Sequence, residues 1–161
     1  MDNKSVLLHF WKLASDDEGW YPPYKDALNG VSAELSEWRA EGKASNTIRE
    51  TVAHITYFKE RLLRRLKGLE DLNLGSNDNS FIVHGNAAEN WNEEMKRLFD
   101  VHAELSAELQ KLSEADVDKL LKNEPIGAQF MHLIVHDAYH TGQIIFIRKL
   151  KGEWPSNRTF L

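Results

Sequence analysis

Apolar residues recur at helical spacing in four long stretches of the chain. Ser5 to about Ala14 offers Val6, Leu7, Phe10, Trp11 and Leu13 for burial and predicts a first helix, which Asp16 to Tyr21 interrupts. Pro22 and Pro23 forbid a continuous backbone ladder, yet Pro23 can open a short helix that Asn29 and Gly30 close, and Ser32 can cap one more turn ending near Trp38. After a turn-rich stretch from Ala40 to Asn46, Thr47 and Glu50 stand at capping-box spacing. The stripe Ile48, Val52, Ile55, Leu62 and Leu66 then predicts a second long helix running to about Lys67. Gly68 to Ala87 is polar, and a connection of about twenty residues exceeds an ordinary helix–helix loop, so it can carry a crossover along a bundle. The third helix is the most regular: Trp91, Met95, Leu98, His102, Leu105, Leu109 and Leu112 alternate four- and three-residue steps, the seam of a packed bundle, beside a charged exterior. Ser113 and Asp116 suit a break and a new cap. Pro125 precedes a fourth helix whose C-terminal end carries Arg148, Lys149 and Lys151, where cations meet the negative end of the dipole. The expectation is an all-α four-helix bundle with short accessory helices and one long crossover-type connection.

That fourth helix is apolar over most of its circumference, with Phe130, Met131, Leu133, Ile134, Val135, Ala138, Ile144 and Ile145, but one polar row runs through it. Gln129, His132, His136, His140 and Gln143 share a face. The presumed solvent faces of the other helices carry Lys, Glu, Arg and Asp. A row of His and Gln instead suits a polar cavity or a metal. Imidazoles one turn apart can meet one ion, because Zn–N bonds are about 2.0–2.1 Å long. The spacing admits His132 with His136 or His136 with His140. Two ligands from one helix rarely suffice, and His54, on the flank of the second helix with Thr51 and Phe58, is a candidate third.

Composition narrows the chemistry. A chain of 161 residues suits a single domain spanning residues 1–161. With no cysteine there are no disulfides and no thiolate ligands, so a metal would be held by imidazole and oxygen, an arrangement compatible with a reducing cytoplasm. The N-terminus lacks the apolar run of a signal peptide, and no stretch is long and apolar enough for a bilayer, so no membrane partner is expected. A net charge of −5 argues against nucleic acid as a partner. One cationic cluster, Lys59, Arg61, Arg64, Arg65 and Lys67, ends the second helix. It reads as a solvated face favoured by the dipole, with steering of an anionic substrate as the alternative.

Other titratable residues have simpler readings. His102 sits on the core seam and reads as a hydrogen-bonded core histidine, with a ligand or supporting role as the alternative. Glu50 is explained by its capping box. Asp137 and Tyr139 flank the histidine row on other faces, where tertiary contacts are expected, and His9 and His84 have no spaced partner. No Ser–His–Asp arrangement suggests itself.

The segments TIRETVAHI (residues 47–55) and HDAYHTGQIIFIRKLKGEWP (residues 136–155) resemble the DinB/YfiT-like superfamily of metal-dependent enzymes, which is distinct from the DNA polymerase sharing the DinB name. The order of features over nearly the whole chain is similar too. The resemblance implies that a divalent metal is bound by one histidine of the second helix and both histidines of the HxxxH motif, here His54, His136 and His140. His132 then becomes an alternative or supporting group. Zinc or nickel is the implied ion, with manganese a further candidate. The implied chemistry is transfer of a low-molecular-weight thiol, of the bacillithiol, mycothiol or glutathione type, to a small electrophile. Metal-dependent hydrolysis is the alternative enzymatic reading. A non-catalytic, metal-stabilised helical dimer in a stress response is the third, and exposed apolar residues around Trp11, Trp20 or Trp154 would support it. A homodimer fits either kind of reading.

Overall fold

A computed structural model describes residues 2–42 and 44–156. Four long helices form the bundle: α1 (Asn3–Ser15), α4 (Ile48–Leu66), α5 (Ala87–Lys111) and α7 (Ile126–Leu150). The short helices α2 (Tyr24–Leu28) and α3 (Ala33–Glu37) fill the link from α1 to α4, and α6 (Glu114–Val117) precedes α7. Each long helix except α7 starts on a side-chain cap: Asp2 accepts from Ser5 N, Thr47 and Glu50 complete the expected box, and Asn86 accepts from Glu89 N. Two features were not anticipated. A 3-10 turn, Asn77–Phe81, lies within the long connection, and a two-residue hairpin pairs β1 (Leu120–Leu121) with β2 (Glu124–Pro125).

Side-chain pairs give the helix directions. Arg49 meets Glu94 near the starts of α4 and α5, and Lys67 meets Glu104 further along both, so these neighbours run parallel. The segment between them must therefore return along the bundle, as the expected crossover requires. On α4 and α7, Arg65 bonds Gln129 and Lys59 bonds Asp137, which makes that pair antiparallel. Arg49 fixes the end of the crossover. Its buried guanidinium donates to Glu94, Glu37, Gly85 O and His84 O, tying α3, α4, α5 and the returning chain into one node.

Two apolar clusters lie along the bundle. One gathers Tyr24, Leu28, Leu35, Ile48, Val52, Ile55, Trp91, Leu98 and Ile144, the other Leu7, Trp11, Leu62, Leu105, Leu109, Phe130 and Ile134. Each fully buried Leu or Ile contributes about 1.5–3 kcal/mol relative to exposure. Between the clusters runs a polar layer: Lys59 from α4, His102 from α5, Asp137 from α7, and beside them His54, His136 and His140.

Several expectations need correction. Lys59 is not on a solvated face: it is fully buried, and Arg61 and Arg65 are paired with Asp71 of the crossover. Phe10 is exposed, whereas Trp11 is buried against Phe130 and His102 and cannot serve an external interface. Arg148 does not simply sit at its own helix terminus. It turns inward, and its Nη1 donates to Ala27 O at 2.7 Å and Asn29 O at 3.0 Å, satisfying carbonyls at the end of α2.

Candidate metal centre

His54 is carried on α4, and His136 and His140 on consecutive turns of α7. The antiparallel packing of the two helices brings all three rings together, with one donor atom from each lying within 4.8 Å of the others. The contact is made by the Nε2 atoms: His54 to His136 at 2.9 Å, and His136 to His140 at 3.2 Å. Metal–nitrogen bonds of about 2.0–2.1 Å place neighbouring donors at about this separation.

The outer nitrogens fix the tautomers. The Ser80 hydroxyl donates to Asn77 O at 2.6 Å, so its oxygen accepts from His54 Nδ1 at 2.5 Å. Gln143 Oε1 accepts from His140 Nδ1 at 2.6 Å. Both histidines thus carry their proton on Nδ1 and turn a lone pair toward His136 Nε2. Among the described residues, His136 Nδ1 is buried without a hydrogen-bond partner. A single proton between three nitrogens can bond only one of them well, whereas a cation satisfies the whole set. The donors therefore fit a divalent ion of the kind imidazole binds.

The surroundings keep the rings neutral. Burial, with a smaller contribution from neighbouring His140, pushes His54 down to about 4. Burial and the flanking His140 and His54 push His136 down to about 3, and burial lowers His140. A neutral imidazole is the form that ligates. Phe81 stacks on the His54 ring at 3.9 Å, and Phe58 stands edge-on to His54 and His136. The crossover thus supplies both Ser80 and Phe81. Neither was singled out from the sequence, because nothing in a polar connection of this length marks which two residues return to the site.

A cavity reaches the centre. It measures about 290 Å3, touches His136, and is walled by Phe58, Arg61, Arg65, Gln129 and His132. A larger cleft of about 980 Å3 lies between α4, the crossover and α5, and borders the site only through Ser80. The polar row of α7 does not act as a unit. Gln129 is buried and bonds Arg65 and the hairpin carbonyls of Leu121 and Glu124, while His132 is exposed, 3.3 Å from Glu124, and lies outside the three-histidine group. His102 is also outside it. It stacks on Trp11 at 4.5 Å with Nδ1 3.4 Å from Lys59 Nζ, and burial pushes it down to about 3. Glu50 is the cap it was expected to be, held also by Arg39.

A helical bundle in which three imidazoles from two antiparallel helices meet beside aromatic rings and a cavity defines a class of candidate metal-dependent proteins. The sequence profile of the DinB superfamily matches residues 6–144, a span that holds all three histidines, and the chain belongs to that superfamily. No curated protein and no solved structure matches it. Membership and the three-histidine cluster together fit a metal-dependent enzyme.

Proposed function

We propose that His54, His136 and His140 bind one divalent ion, zinc or nickel, and that the protein transfers a low-molecular-weight thiol to a small electrophile. The observation that carries this reading is the convergence of three Nε2 atoms, two with lone pairs fixed by Ser80 and Gln143, beside a cavity that opens on His136. A divalent ion held by three neutral imidazoles keeps positions for an exogenous ligand and, as a Lewis acid, lowers the pKa of a thiol or water bound there. The chain's own groups prepare that event. Ser80 and Gln143 hold the Nδ1 protons so that both rings point inward, and Phe58 and Phe81 exclude water from two sides. Arg61, Arg65, Glu124 and Gln129 line the approach and offer polar contacts to a ligand. In this reading the functional unit is a homodimer. A cytoplasmic setting would supply reduced thiols and suits a chain without cysteine.

The test is elemental analysis of the tag-free protein beside His136→Ala, then a panel of thiols with a generic electrophile. Close to one divalent ion per chain, lost in the variant, with turnover that depends on one thiol, is the expected result. Metal without thiol dependence, but with ester or amide hydrolysis, would transfer the reading to a hydrolase. No metal, and no uptake of zinc, nickel or manganese, would overturn it.

A further inference from the structure

The cleft of about 980 Å3 between α4, the crossover and α5 stands apart from the candidate metal centre, for none of the three histidines lines it. Its size is that of a small-molecule site, roughly 300–1,000 Å3. Val52 and Ala53 of α4 give it an apolar side, together with Leu74, Ile82 and Val83 of the crossover. Ile82 is 55 % exposed, a large aliphatic side chain left without cover at this cleft.

The polar lining decides what the cleft can take. Its hydroxyls have already given up their hydrogens: Thr56 donates to Val52 O at 2.7 Å, Tyr57 to Leu72 O at 3.1 Å and Ser80 to Asn77 O at 2.6 Å. The Asn79 amide donates to Leu74 O, and the Asn90 amide to His84 O and Asn86 O. Each hydroxyl is left with lone pairs and each amide with its oxygen, while the exposed imidazole of His84 can accept as well as donate. The cations are committed too. Arg97 gives Nε and Nη2 to the two oxygens of Glu60, and Arg49 is shared by Glu37 and Glu94. Glu93 differs: among the described residues its carboxylate has no hydrogen bond or salt bridge, and Lys96, three residues on, pairs with Asp100. The cleft therefore offers an apolar wall, a surplus of acceptors and one uncompensated negative charge. A ligand with N–H donors, positive charge and an apolar body answers all three, whereas an anion meets Glu93 and lone pairs.

We propose that this cleft binds a small amphipathic ammonium ion, an alkyl- or arylamine, with its nitrogen toward Glu93 and its apolar body against Ala53, Ile82 and Val83. The site is argued without the metal, and its test does not read metal content. It does share Ser80 with the candidate metal centre. The Ser80 oxygen accepts from His54 Nδ1, so an occupant that braces the crossover also braces the orientation of that histidine.

The experiment is isothermal titration calorimetry on the full chain with 1-naphthylmethylamine, which is cationic at neutral pH, beside two analogues of similar shape: its N-trimethylated form and 1-naphthylacetate. The expected result is one site per chain for the amine, about tenfold weaker binding of the trimethylated form, which keeps the charge and loses the donors, and no binding of the carboxylate. Glu93→Lys, at an exposed position, should weaken the amine about tenfold, and Val83→Trp, which fills the cleft, should abolish its binding, each with unchanged circular dichroism. His136→Ala should bind the amine as the wild type does, which separates this cleft from the cavity beside the histidines. No binding of the amine at millimolar concentration would overturn the proposal, as would a carboxylate that binds equally well. Affinity unchanged in Glu93→Lys would overturn it too, a readout that holds even if Val83→Trp fails to fold. So would binding lost in His136→Ala, which would place the probe in the other cavity.

Discussion

Lys59 and Asp137 pin α4 to α7, Asp137 next to the candidate ligand His136 and Lys59 five residues after His54. Lys59 Nζ is fully buried, 2.5 Å from Asp137 Oδ2, 3.4 Å from His102 Nδ1 and 4.6 Å above the Trp11 ring, while Asp137 Oδ1 has no hydrogen-bond partner among the described residues. Burial raises the Asp137 carboxyl despite the opposing Lys59 charge. At an effective dielectric constant of about 20 and a charge separation of about 3 Å, the pair's attraction is on the order of 5 kcal/mol, set against the desolvation of both ions. Lys59→Met leaves a carboxylate and Asp137→Leu leaves an ammonium, each stranded between the two apolar clusters. Either single change should cost about 3–5 kcal/mol. For a chain of this size that corresponds to a fall in Tm on the order of 10 °C. The double variant, which replaces the pair by apolar groups, should recover most of the loss. Urea unfolding at pH 7 in the presence of EDTA, followed by circular dichroism, completes the cycle without metal binding. Singles costing less than about 1 kcal/mol, or a double variant no better than the sum of the singles, would refute the reasoning.

Two further outcomes follow from the site. In the metal-free protein, His54, His136 and His102 have native pKa values of about 4, about 3 and about 3, below the unfolded value of about 6.5, so between those limits the unfolded state binds more protons. Stability should be flat above pH 7 and fall on acidification from pH 6.5 to 4, each histidine adding at most about 1.4 kcal/mol per pH unit, and urea midpoints that do not move across that window would contradict it. Ser80→Ala removes the acceptor for His54 Nδ1–H and frees that ring to turn, so zinc affinity measured against a chelator should drop about 10–100-fold with helicity retained. Equal affinity would show that Ser80 does not orient the ligand.

The sequence carried the helices and their caps, because these depend on neighbours three or four residues away. Thr47 with Glu50, Ser113 with Asp116, and the seam from Trp91 to Leu109 were legible on that ground alone. It also pointed to the three histidines that meet in the fold: His54 from its place on the flank of the second helix, and His136 with His140 through the resemblance, since one-turn spacing admitted His132 with His136 as well. Lys59 shows how a correct pattern was overruled: it stands four residues after Ile55 and three before Leu62, on the buried stripe, but its charge and its neighbours Arg61, Arg64 and Arg65 suggested water. On α7 the buried row is Phe130, Ile134, Asp137, Thr141, Ile144 and Arg148, and two charged members hide it in a helix apolar on every side.

What only the tertiary structure decided is what those positions meet. A lone lysine is costly inside, and only the approach of Asp137 from an antiparallel helix makes burial tolerable. Likewise, the choice of His140 over His132 as a member of the three-histidine group depends on how far α7 is rotated against α4. The return of Ser80 and Phe81 depends on the path of a crossover with no local code. Periodicity along one chain fixes which residues share a face. It does not fix what that face will find opposite, because the partner is chosen by packing between segments far apart in sequence.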